Sequence, residues 1–187
     1  PSSGQFSAIG ATARLISDAM KTSRLKVRTR NGQPWLIFLI PALFGLALFC
    51  VPLPQDHILS IHESVLPQTA RIMAHSGEWL IPRRDSITPW LENPPLPQWI
   101  TVSLCALVGT CSEAWVARLA AGIAGTLVVL LVTLIAAKLF GRRAALLSGL
   151  TMATSYEVVR YATLAEDEIF LALTSTAAMA CFVFAQF

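Results

Sequence analysis

Between two regions rich in apolar residues lies a 38-residue polar stretch, from Ile61 to Gln98, that gathers much of the chain's charge, His, Pro and Trp. The apolar run before it, Trp35 to Leu53, carries no charge and is long enough to cross about 30 Å of hydrocarbon. With such runs in a bilayer, every backbone polar group must be satisfied internally, which leaves helices as the spanning elements. The polar stretch is then held at one membrane face. Only 13% of residues are charged against 55% hydrophobic, about half the charged share of a soluble domain. The expected fold is an all-α polytopic membrane protein with amphipathic helices in its first outer loop.

Charge placement sets the topology. Arg14, Lys21, Arg24, Lys26, Arg28 and Arg30 face only Asp18 in the first 34 residues and abut the first span. This is a cytoplasmic topology anchor, preferred over a nucleic-acid patch. No nucleic-acid partner is expected. Leu96 to Val108 is about 13 residues, short of the roughly 20 a span needs, so it is placed along the outer interface. Ala114 to Ala137 crosses next, and Lys138, Arg142 and Arg143 follow on the cytoplasmic side. The expected spans are about 35–53, 114–137, 144–161 and 169–187, with an outer loop over about 54–113. The chain begins with Pro1 and stops within an apolar run at Phe187, the pattern of a piece of a longer polytopic protein.

Several side chains carry further expectations. Ala121, Gly122, Ala124 and Gly125 permit close helix packing. Arg118 snorkels outward or pairs with Glu113, and Glu157 pairs with Arg160 one turn on. Cys50, Cys105, Cys111 and Cys181 read as small apolar side chains, with a Cys105–Cys111 pair in an oxidising compartment as the alternative. Trp79, Trp90 and Trp99 read as interfacial anchors.

Within the polar stretch, Val65, Thr69, Ile72 and Met73 share one helical face. Pro67 suits only a first turn, so the helix starts near Ser64 to Leu66 and ends at Gly77, with His62 and Glu63 just ahead of it. Arg83 and Arg84 are paired donors able to hold a phosphate. Glu166, Asp167 and Glu168 fall on the same outer face as Glu63, Glu78 and Glu92. Two acidic clusters facing one cavity point to catalysis or ion handling; a solvated cap on the next helix is the plainer explanation.

The order of these pieces resembles the lipid-phosphate-sugar-dependent membrane glycosyltransferases, the superfamily that includes aminoarabinose transferase of lipid A and the protein O-mannosyltransferases. The likeness runs through His62-Glu63, Gly77-Glu78-Trp79-Leu80-Ile81-Pro82, Leu91-Glu92-Asn93-Pro94-Pro95, Gln98-Trp99, Glu113 to Leu119, the Gly141-Arg142-Arg143 turn and Asp167. It covers Trp35 to Phe187. The resemblance implies an inverting transfer of sugar from a polyprenyl- or dolichyl-phosphate donor to a lipid, glycan or protein acceptor. It implies lipid A modification or protein mannosylation at the outer face of a bacterial inner membrane. Glu63, Asp167 and His62 are the implied catalytic residues, Arg83 and Arg84 the donor-phosphate ligands, and Glu92 with His62 the ligands of a divalent metal ion. Two positions depart from the family pattern: His62 stands where Asp is usual and Asn93 where Lys is usual. A catalytically inactive relative, or a non-enzymatic transport or scaffold component, is the alternative.

Overall fold

The computed structural model describes residues 35–51, 61–85, 87–111 and 114–186. The basic N-terminal segment and Glu113 lie outside them, as do the side chains of Ile61 and His62. The described residues form seven helices: α1 (Leu36–Cys50), α2 (Ile61–Ser76), α3 (Leu96–Val108), α4 (Ala114–Phe140), α5 (Arg142–Ala153), α6 (Tyr156–Thr163) and α7 (Glu168–Gln186). The all-helical expectation holds. An isolated antiparallel bridge joins Arg83 and Pro89.

The 27-residue α4 is the central post, with α1, α5, α6 and α7 packed along it. Its small residues make that possible. Ala120, Ala121, Ala124, Val128 and Val129 are buried, and Phe49 of α1 and Phe170 of α7 fill the core against them. At Gly125 a side chain would run into the Ala162 methyl of α6. At Gly149 of α5 it would meet the Thr133 hydroxyl of α4 and lie 2.8 Å from the Pro41 ring of α1. Three helices converge there because one residue has no side chain.

Both α4 and α7 are long and apolar enough to cross a membrane; α1 and α3 are apolar but shorter. The segment expected as one span over 144–161 is two helices of 12 and 8 residues. The Thr154 hydroxyl bonds back to the Leu150 carbonyl at 2.9 Å, and Ser155 turns extended before its carbonyl receives the Val159 N–H at 2.9 Å. Hydroxyl side chains compete in this way for helical backbone groups. The resulting α6 is amphipathic, burying Val158 and Ala162 and exposing Tyr156, Glu157 and Arg160. The expected Glu157–Arg160 ion pair is absent among the described residues; Arg160 instead lies over its neighbour Tyr161 at 5.1 Å.

Against one end of α4 pack α2 and α3. The start of α2 at Ile61 is earlier than expected and places Pro67 inside the helix, where it has no N–H for the carbonyl of Glu63. Leu66, Thr69, Ala70 and Met73 are buried, and the Gln98 amide of α3 reaches the Thr69 hydroxyl at 3.4 Å. Gly109, at φ 83°, ends α3. Cys105 and Cys111 then form a disulfide across the turn into α4, and Arg71 of α2 donates to the Cys111 carbonyl at 3.3 Å. The preferred reading of these two cysteines as unpaired apolar side chains is therefore corrected; Cys50 and Cys181 are free. The turn between α3 and α4 brings the two within reach, which six residues of separation alone did not settle.

Candidate active site

The start of α2, the loop before α3 and the turn before α7 meet at a cavity of about 280 Å³. Asp167, Glu166 and Glu168 form one wall; Glu92, Asn93, Arg84 and Trp90 supply the other. Four acids thus face one lining cation. The Asn93 amide joins the two walls with a short bond to Asp167 Oδ2 at 2.8 Å. The second carboxylate oxygen, Oδ1, is buried and has no hydrogen-bond partner. Burial raises the Asp167 pKa; the Asn93 bond pulls it back in part, and the adjacent Glu168 charge pushes it up again. A carboxyl with one oxygen anchored, one unclaimed and its affinity for protons increased is equipped to exchange a proton with a ligand. The turn's backbone serves the helix instead: the Asp167 carbonyl receives the N–H groups of Phe170 and Leu171.

Glu63 is placed differently. Its side chain is buried at the base of α2, where Arg118 Nε of α4 donates to Oε1 at 2.6 Å. The same oxygen accepts the Ala165 N–H at 3.4 Å. Arg118 therefore does not snorkel, because a buried guanidinium is satisfied by the buried carboxylate beside it; its other expected partner, Glu113, lies outside the described residues. The Glu63 side chain ties α2, α4 and the turn carrying Asp167 to one point.

The two arginines separate. Arg83 makes a two-pronged bond to Glu78, at 2.6 and 3.2 Å, and borders a shallow depression with Trp79 and Leu80. Arg84 lines the cavity and lies 5.5 Å over the Trp90 ring. A tight turn fixes this difference. Asp85 accepts the N–H groups of Ile87 and Thr88 and the Thr88 hydroxyl, and those bonds hold its pKa below the usual carboxylate range. Trp90 and Pro82 are joined by a backbone bond of 2.7 Å, so consecutive arginines point to different surroundings. Trp99 donates its indole N–H to the Trp79 carbonyl at 2.6 Å, while the indole N–H of Trp90 is buried without a hydrogen-bond partner.

A second, mostly apolar groove of similar volume adjoins the cavity, walled by Pro94, Leu96, Pro97, Phe170 and Leu171. Asn93, Asp167 and Glu168 belong to both. Of the residues singled out in the sequence, Asp167, Glu92 and Arg84 come together, Glu63 lies behind them and Arg83 lies apart. The His62 side chain, expected with Glu92 at a divalent metal ion, lies outside the described residues; among those described, no group of three or more His, Cys, Asp and Glu could hold a metal ion. Asn93 was legible only as a departure from a pattern; no spacing signalled that it binds Asp167.

A profile of the dolichyl-phosphate-mannose-protein mannosyltransferases matches residues 92–186, just over half of the chain, and takes in Glu92, Asn93 and the Glu166–Glu168 wall of the cavity. The fold is similar to the crystal structure of ArnT from Cupriavidus metallidurans bound to undecaprenyl phosphate. The TM-score is 0.72 and the identity 26%, over 80% of this chain and 27% of that one. The chain thus spans about a quarter of the length of that structure. No curated protein sequence matches the chain. With apolar helices of spanning length and this fold, it is an integral membrane protein. It belongs to the dolichyl-phosphate-mannose-protein mannosyltransferase family.

Proposed function

We propose that the full-length protein is an inverting glycosyltransferase. It moves a sugar from a polyprenyl- or dolichyl-phosphate donor to a lipid, glycan or protein hydroxyl at the outer membrane face. The observation that carries this is the Asp167 carboxyl, part-buried and half-unclaimed, facing the cation Arg84 across one cavity. In its ionised form Asp167 takes the proton of the acceptor hydroxyl as that oxygen bonds to the anomeric carbon. The bond from that carbon to the donor phosphate breaks on the opposite side, which inverts the configuration. Arg84 offers N–H donors to the departing phosphate. The likeness to a structure holding undecaprenyl phosphate supports a lipid-phosphate donor, and the adjoining apolar groove suits its chain.

Glu63 acts in this scheme through position, since Arg118 and Ala165 occupy it. His62 stays a proposed partner at the start of α2. No step is routed through a metal ion. The outward orientation is supported from both ends of α4. A disulfide adjoins its N-terminal end, and disulfides persist in oxidising compartments. Lys138, Arg142 and Arg143 cluster at the other end, as cytoplasmic turns do.

The test uses purified full-length protein with a polyprenyl-phosphate sugar and candidate acceptors. Release of polyprenyl phosphate with inverted product is expected, and Asp167→Asn should lower the rate by about 10²- to 10⁴-fold. Transfer at the wild-type rate in that variant removes Asp167 from the chemistry. An inactive relative is the second reading, favoured by Asn93 standing where a phosphate-binding Lys is usual. It requires that no donor be consumed with any acceptor.

A further inference from the structure

We propose that Asn93 is a positioning residue whose amide holds the Asp167 carboxylate at the rim shared by the polar cavity and the apolar groove. The inference rests on the transfer reading above and adds to it the group that sets Asp167. Three observations support it. The Asn93 amide lies 2.8 Å from Asp167 Oδ2 and joins segments 74 residues apart. Both residues line the cavity and the groove alike. Asp167 Oδ1 has no hydrogen-bond partner, so Asn93 is what fixes the carboxyl plane at its outer end.

The electrostatic setting gives that bond a second role. Asp167 is surrounded by like charge: Glu166 and Glu168 on its own segment and Glu92 from the loop before α3. Positive charge comes from Arg84 across the cavity. Arg118 lies behind the turn, already matched to Glu63. Each neighbouring acid, together with burial, favours the protonated carboxyl, and an amide N–H favours the ionised one. A cation in place of Asn93 would draw Asp167 further toward ionisation. An amide anchors the oxygen without adding charge beside a rim that a polar acceptor must approach. Asn93 thereby sets both the aim of the carboxylate and the pH at which it loses its proton.

Substitutions of opposite electrostatic sense test this in the full-length protein. Asn93→Leu removes the donor and should move the acid limb of the kcat/KM profile to higher pH. Below that limb the rate should fall on the order of tenfold, the effect of losing one hydrogen bond to a charged group. Asn93→Lys should move the limb to lower pH, and Asn93→Asp to higher pH by adding a second carboxylate. A role confined to packing would lower the rate in all three without moving the limb. A limb that stays put in both the Leu and Lys variants overturns the proposal. If Asp167→Asn abolishes transfer while the Asn93 variants match wild type in rate and profile, this inference fails and the transfer reading stands. Should no variant transfer sugar, the pH dependence of thermal melting gives a separate readout of Asp167. The same opposite displacements are expected there, and identical profiles for the Leu and Lys variants would again overturn it.

Discussion

Arg118 and Glu63 meet at 2.6 Å across 55 residues of sequence, with side chains only 7% and 4% exposed. Such a pair need not add much stability over an apolar pair of similar size, but its halves cannot be removed singly. The charge left behind is buried without its counter-ion.

Arg118→Met and Glu63→Gln should therefore each destabilise the fold by about 3–5 kcal/mol. The double variant should recover much of that loss. Thermal melting of the detergent-solubilised protein measures it. Additive losses in the double variant would show that the two side chains act independently.

Asp167 and Asp85 should give stability slopes of opposite sign. The folded pKa of Asp167 is raised, so its contribution is fully present below the unfolded value near 3.9 and is lost as pH rises through the folded value. Asp85 has a lowered folded pKa; its contribution is present above the unfolded value and is lost as pH falls through the folded one. Melting temperature against pH checks both. Asp167→Asn should remove the downward slope at rising pH, and Asp85→Asn should remove the loss at the acid end.

Breaking the Cys105–Cys111 link should loosen the junction of α2, α3 and α4. Cross-linking residues six apart restricts the unfolded chain by about 2 kcal/mol in the loop-entropy account. Cys105→Ser, Cys111→Ser and mild reduction should lower the melting temperature by the same amount. Maleimide labelling of untreated protein should modify Cys50 and Cys181 alone under denaturing conditions. Four labelled thiols would refute the link.

Two glycines should respond differently to a methyl group. Gly149→Ala places it against the Thr133 hydroxyl and the Pro41 ring and should cost about 1–3 kcal/mol. Gly122→Ala meets its nearest neighbours at an ordinary 3.6 Å and should be near neutral. Equal melting temperatures for the two variants would contradict the three-helix convergence at Gly149.

What was legible in the sequence was whatever long periodic or uncharged runs report. The 27-residue α4 and the 19-residue α7 follow from apolar length, and the α2 face follows from the spacing of Thr69 and Met73. The break at Thr154–Ser155 was hidden because neither residue is Gly or Pro, and hydroxyl capping depends on which backbone groups are free. Pro67 misled in the other direction, since a proline signals a first turn while the packed Leu66 and Thr69 carry α2 past it. Asp167 and Glu63 were legible as members of two acidic clusters expected on one outer face. The partners that separate their roles, Asn93 for Asp167 and Arg118 for Glu63, lie 74 and 55 residues away and come from tertiary packing alone.

The span from Asn93 to Asp167 also sets an order of events in biogenesis. Everything between them, including all of α3, α4, α5 and α6, must leave the ribosome and be seated before the amide can find its carboxylate. A nascent chain halted at the end of α6 would carry the arginine-bearing wall facing no acid from the other side. The cavity is thus completed by the turn that follows α6, and an insertion fault in α4 or α5 would disable it without altering any residue that lines it.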